Sequence, residues 1–179
     1  DGSSPQVVVA DTGPGVLRFT ESLAVDERSG RIYWAQATFG VVSDIKSANG
    51  DGSDVQTIVT NVAADHGLAV DPVGGRLYWA QTSLYNSAVV DHIRRSNLDG
   101  TGVEVVYAAP EGRQIRELTV DPFAQTIYWR DPTQSLLLRA PVAGTPRKRV
   151  VLLAHADSAF TGFMFSPHVL RHVAKPPPA

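Results

Sequence analysis

The chain contains no cysteine at all, so disulfides and cysteine-based metal sites are excluded, and the redox compartment is left open. No apolar run approaches the ~18–20 residues needed to cross a bilayer as a helix. There is no basic excess: the formal net charge is −2, which argues against a nucleic-acid partner. No Asn-x-Ser/Thr sequon, Gly-x-Ser-x-Gly elbow, phosphate loop or paired-histidine zinc motif is present. No segment longer than about ten residues shows a helical period. What remains is an ordinary globular composition, 43% hydrophobic and 19% charged over 179 residues. That is enough for one domain with a sizeable core.

Against these absences stands a stretch that recurs three times: Leu23-Ala24-Val25-Asp26, Leu68-Ala69-Val70-Asp71 and Leu118-Thr119-Val120-Asp121. Seven residues after each Asp comes an aromatic pair: Tyr33-Trp34, Tyr78-Trp79 and Tyr128-Trp129. All three tryptophans of the chain sit in this slot. The anchors lie 45 and 50 residues apart, a period typical of solenoids and propellers. A second recurring element, Asp-Gly between apolar runs, begins at Asp1, Asp51 and Asp99, and predicts hairpin turns because Gly accepts positive φ.

Each period reads as four strands. The first is Ser22 to Asp26, then Gly67 to Asp71, Glu117 to Asp121 and a truncated fourth copy from Gly162 to Phe165. The second carries Tyr-Trp, the third runs Val42 to Ser47, Asp91 to Ser96 and Leu136 to Ala140, and the fourth Gln56 to Val59, Glu104 to Tyr107 and Arg149 to Leu153. Leu-Ala-Val and Ile-Tyr-Trp are continuous apolar runs, so both faces of the inner strands are expected to be buried. Gly30 and Gly75 suit a left-handed position late in the first turn, whereas Pro122-Phe123-Ala124-Gln125 has no glycine there, leaving a different turn open to the third copy. Buried inner strands and wetter outer ones describe an all-β chain of propeller blades, about three complete ones with flanking strands, over residues 1–170. Residues 171–179 read as a Pro-rich tail or linker.

Leu-Ala-Val-Asp, Tyr-Trp and Asn97-Leu98-Asp99-Gly100-Thr101 together resemble the Tyr-Trp-Thr-Asp repeat, also called the low-density lipoprotein receptor class B repeat. The resemblance covers the chain up to about Ser166. It departs from the family in the name-giving tetrapeptide, which reads Tyr-Trp-Ala-Gln twice and Tyr128-Trp129-Arg130-Asp131 once. The resemblance implies a six-bladed propeller that binds proteins or peptides outside the cell, at the cell surface or in a periplasm. Three repeats are half of such a ring. Two chains could join into one ring, the chain could be a piece of a longer one, or three blades could close on themselves; the start partway through a repeat favours the second.

Candidate site residues fall in three groups. Those just before each inner strand, where a propeller opens onto its channel, are Glu21, His66, Arg116 and Glu117. Of these, Glu21, His66 and Glu117, with Asp65, could offer oxygen or imidazole ligands to a divalent ion such as calcium, the basis of an alternative reading as a metal-dependent hydrolase or lyase. No cofactor is otherwise expected. The loop holding Tyr85 and Asn86, with Arg94, Arg95 and Arg113, is the candidate partner-binding surface, since Tyr and Arg make good interface anchors. Asp26, Asp71 and Asp121, recurring once per blade, are read as acceptors for turn N–H groups rather than catalytic carboxylates. The Tyr33-Trp34, Tyr78-Trp79 and Tyr128-Trp129 pairs are read as blade core.

Overall fold

The computed structural model describes residues 4–10, 18–38, 41–64, 67–82, 90–142 and 154–155. Asp65, His66, Tyr85, Asn86, the expected strands 149–153 and 162–165 and the tail 171–179 lie outside them.

Within the described residues every regular element is a strand. The first sheet holds β1 (Arg18–Asp26), β2 (Arg31–Thr38), β3 (Val41–Asn49) and β4 (Gln56–Val62). The second holds β5 (Leu68–Asp71), β6 (Arg76–Thr82), β7 (Asp91–Asn97) and β8 (Glu104–Ala108). The third holds β9 (Arg116–Asp121), β10 (Thr126–Asp131), β11 (Leu136–Pro141) and the two-residue β12 (Ala154–His155). Each is an antiparallel meander whose spatial order follows the chain. The innermost strand β5 packs against both β1 and β9. Four-stranded meanders arranged face to face around their first strands are propeller blades, and the chain is a partial β-propeller.

Two turns explain why the repeat folds this way. In the first, Asp26 Oδ1 accepts from the amides of Arg28 and Ser29, at 2.9 and 3.3 Å. Asp71 accepts likewise from Val73 and Gly74, at 3.0 and 2.8 Å, and Asp121 from Phe123 and Ala124, at 3.0 and 2.9 Å. The glycine-free third copy makes the same turn: Gln125 takes φ 48° where Gly30 and Gly75 have 73° and 65°. Its Nε2 then donates to the Pro122 carbonyl at 2.6 Å and to Asp71 of the neighbouring blade at 3.2 Å. In the second turn, Gly52 and Gly100 sit at φ 85° and 84°, and Ser53 and Thr101 both bond back to the aspartate two residues earlier.

Side-chain alternation gives each blade two faces. The Tyr face of the first blade (Tyr33, Ala35, Ile45, Val59) packs on the Trp face of the second (Leu68, Val70, Leu77, Trp79). The Tyr face of the second (Tyr78, Ala80, Ile93) packs on the Trp face of the third (Ile115, Leu118, Ile127, Trp129, Leu138). Tyr107 closes this second junction, its ring 4.9 Å from that of Trp129 and tilted by 44°.

Burial on both faces of every inner strand does not hold. Leu23 and Val25 in β1 are 61% and 51% exposed, because no described blade covers the Trp face of the first sheet. At the other end, no described blade covers the Tyr face of the third blade, and that face is more polar than the same face at the internal junctions. Arg130 and Thr119 stand where the internal junctions have Ala35 or Ala80 and Ala24 or Ala69, and both are exposed.

Candidate functional site

The three inner strands begin at one end of the molecule, and their first residues enclose a cavity of about 390 Å³. Its lining comprises Glu21, Ser22 and Leu23 from β1, Gly67 and Leu68 from the second blade, and Arg116, Glu117 and Leu118 from β9, with Arg130 from β10. Three leucines and four charged side chains thus share the lining. Of the channel-mouth candidates, Glu21, Arg116 and Glu117 therefore share one cavity; His66 and its neighbour Asp65 lie outside the described residues.

Irregular backbone shapes this mouth. The β1–β2 register shifts between Thr20 and Ser22, and the β9–β10 register between Tyr128 and Arg130. Bulges of this kind re-aim side chains next to sites. Gly67 takes φ 143°, and a Cβ there would lie 2.7 Å from the Leu118 amide nitrogen, so the second and third inner strands approach too closely for a side chain. Glu117 holds φ 51°, a left-handed conformation that costs a non-glycine residue ~1–2 kcal/mol.

The charges around the cavity are held in place. Glu117 and Arg130 form a two-pronged pair at 2.9 and 3.0 Å. The Arg130 guanidinium keeps the Glu117 carboxyl below the usual range. Arg116 donates through Nη1 to buried Asp91 at 2.8 Å and to the Ile115 carbonyl at 2.8 Å. The same Asp91 oxygen accepts from the Ile115 amide at 2.8 Å. Ser43 donates to Glu21 Oε2 at 3.2 Å, and Ser22 to the Ala64 carbonyl at 3.4 Å.

Behind the rim, buried Asp131 accepts from Arg113 Nε, from the Gln114 amide at 3.4 Å and from the amide and hydroxyl of Thr133 at 2.9 and 2.6 Å. Burial pushes its pKa up, but the hydrogen bonds from Thr133 and Arg113 outweigh this and hold it below the usual carboxylate value. Asp91 and Asp131 together strap the 113–116 link that carries Arg116 into the cavity. Sequence reasoning assigned neither a site role. Asp131 had a signal, as the one repeat position where Trp-x-Asp survives; Asp91 had none, since the first blade has Ser43 at its place.

The partner-surface arginines are spread out rather than gathered. Arg94 and Arg95 are neighbours on β7 and so point to opposite sides, Arg94 opposite Trp79 and Arg95 opposite Tyr78. Arg95 pairs with Glu104 at 2.6 Å and reaches across the junction to the Val142 carbonyl at 2.8 Å. Arg94 Nε is buried with no hydrogen-bond partner among the described residues. Arg113 serves Asp131. Tyr85 and Asn86 lie outside the described residues. Among the described residues, no three His, Asp or Glu side chains come together closely enough to hold a metal ion. No described helix is long and apolar enough to cross a membrane, which says nothing of strands.

Comparison with solved structures places the chain among β-propeller proteins. It superposes on a chain of the crystal structure of a nidogen/laminin complex with a TM-score of 0.62 and 24% identity, covering 75% of this chain and 48% of that one. It also matches a prolyl endopeptidase structure with a TM-score of 0.56 and 10% identity, covering 78% of this chain and 22% of that one. The chain thus spans about half the length of the first and about a fifth of the second. At these identities the likeness defines the fold. No protein-family model matches the chain, and no curated protein matches it in sequence.

Proposed function

We propose that this chain is a non-enzymatic module of the low-density lipoprotein receptor class B type, binding an extracellular protein or peptide at the mouth where its inner strands converge. The observation that carries this reading is the cavity itself, where Leu23, Leu68 and Leu118 share the lining with a charged rim of Glu21, Arg116, Glu117 and Arg130, drawn from more than one blade. Two of the rim's cations are already held by Asp91 and Glu117, so little side-chain entropy is left to lose on binding. An apolar surface with a few oriented charges suits a peptide segment that inserts an apolar side chain and offers backbone or charged groups to the rim. The repeat pattern and the protein complex named for the nidogen/laminin neighbour support the same reading.

The test is selection of displayed peptides on the whole chain, followed by affinity measurement on variants. Peptides should emerge whose binding falls at least tenfold in Arg116→Ala or in Glu117→Ala/Arg130→Ala. Peptides indifferent to all three positions would remove the mouth as the site. A stoichiometric divalent ion whose retention depends on Glu21, His66 or Glu117 would overturn the reading in favour of a metal-dependent enzyme.

A further inference from the structure

Of the four charged side chains that line the mouth, three are already neutralised. Arg116 donates to Asp91 at 2.8 Å. Glu117 and Arg130 hold each other through two hydrogen bonds, at 2.9 and 3.0 Å. Glu21 has no cation among the described residues; its carboxylate accepts from the Ser43 hydroxyl at 3.2 Å. The repeat explains the difference. Glu21 stands two residues before Leu23, as Arg116 stands two before Leu118. Asp91, which fixes Arg116, has Ser43 at its place in the first blade. One position of the repeat thus holds an arginine bound to a carboxylate in the third blade and a glutamate bound to a hydroxyl in the first. A hydroxyl orients a carboxylate but leaves its charge uncompensated. The bulge in β1 adds to this. Thr20 pairs with Gln36 and Ser22 with Ala35, so Glu21 has no cross-strand neighbour on β2 and stands exposed at the rim.

With Asp91 included, three carboxylates at the mouth face two guanidiniums, so one negative charge is left over among the described residues. We propose that the mouth selects a peptide segment carrying a lysine or arginine beside an apolar side chain. The cation pairs with Glu21, and the apolar group meets Leu23, Leu68 and Leu118 of the lining. This specificity rests on the reading of the mouth as the binding site. A cavity of about 390 Å³ is at the small end of ligand pockets, so it admits one or two side chains of a segment rather than a folded surface. Acidic segments are disfavoured for a physical reason. Each arginine of the lining already faces a carboxylate, and an incoming anion would meet Glu21 with no described cation left to offset it.

The experiment runs one displayed random-peptide library against the whole parent chain and against Glu21→Lys. The parent should enrich peptides with a lysine or arginine next to an apolar residue, and Glu21→Lys should reverse that preference toward aspartate and glutamate. Synthetic copies of the parent's peptides should bind at least tenfold more weakly to Glu21→Gln, which keeps an acceptor for Ser43 and removes only the charge. Glu27→Gln removes the same charge from an exposed residue in the turn at the other end of β1, and should leave binding unchanged. An equal loss there would reduce the effect to general attraction and overturn the proposal. Peptides that depend on the Glu117–Arg130 pair but carry no basic residue, or ignore Glu21→Gln, overturn this specificity and leave the mouth as the site. Peptides indifferent to every rim position overturn both.

Discussion

β1 and β5 carry the same four residues, Leu-Ala-Val-Asp, at the same place in their blades. Leu68 and Val70 are 5% and 9% exposed; Leu23 and Val25 are 61% and 51%. The difference lies entirely in what stands opposite. β5 has blades on both sides, whereas among the described residues β1 has one only on its Tyr side. Identical motifs thus do unequal work: in the second blade the leucine and valine hold a junction together, and in the first they are surface. The aspartate behaves oppositely. Asp26 and Asp71 are both buried and both accept two turn amides, because their partners lie two and three residues away rather than on another blade.

The sharpest test of this contrast is truncation of the equivalent leucines. Leu68→Ala should lower the unfolding free energy by ~2–5 kcal/mol, whereas Leu23→Ala should fall within ~0.5 kcal/mol of the parent in chemical denaturation. Equal losses would mean that the first blade's Trp face is covered in solution.

Next comes the strap behind the mouth. Asp131→Ala strips the partner from Arg113 and leaves the 113–116 link unanchored, at a cost of about 3 kcal/mol, the lower end for a broken buried pair because the arginine is partly exposed. The same carboxylate makes stability depend on acid. Its folded pKa lies below the unfolded value, so its contribution is fully present above the unfolded pKa of ~3.9 and is lost as pH falls through the folded one. Asp131→Asn should therefore flatten the loss of stability on acidification. Asp26, whose pKa is also lowered, should retain part of the slope.

A smaller contrast compares the two outer turns. Gly100→Ala drives a Cβ into the Ile58 carbonyl, held in β4, and should cost about 2 kcal/mol from a combination of the left-handed conformation and displaced backbone. Gly52→Ala meets only the segment at Val8, which no described strand holds, and should cost about 1 kcal/mol, the conformational part alone. Equal costs would show that residues 4–10 are held as firmly as a paired strand. The smallest effect should come from Glu117→Gln. Its pair with Arg130 is solvent-exposed, so the melting midpoint should hold at moderate salt while peptide binding at the mouth weakens.

Much of the architecture was legible because it is local. Asp26, Asp71 and Asp121 mark turns closed within four residues, and the Tyr-Trp pairs alternate across a strand whatever lies beyond it. The third turn, lacking glycine, read as open to another form, yet Gln125 adopts the left-handed position, helped by bonds to Pro122 and Asp71. The candidate mouth was legible in part: Glu21, Arg116 and Glu117 could be placed by their position before an inner strand. That Arg116 is locked by Asp91, twenty-five residues away, could not, because the pairing depends on how two blades meet. The scattering of Arg94, Arg95 and Arg113 was likewise hidden, since adjacency in sequence conceals opposite faces of one strand.

By itself the sequence determined the blade: its strand order, its two turns and its apolar faces, all set by interactions within some fifty residues. Only the tertiary structure decided which copies of those faces are buried and that Asp91 and Asp131 strap the link to the mouth. The reason is physical. Turn hydrogen bonds and side-chain alternation act over a few residues, while burial and ion pairing depend on what another blade brings to the surface.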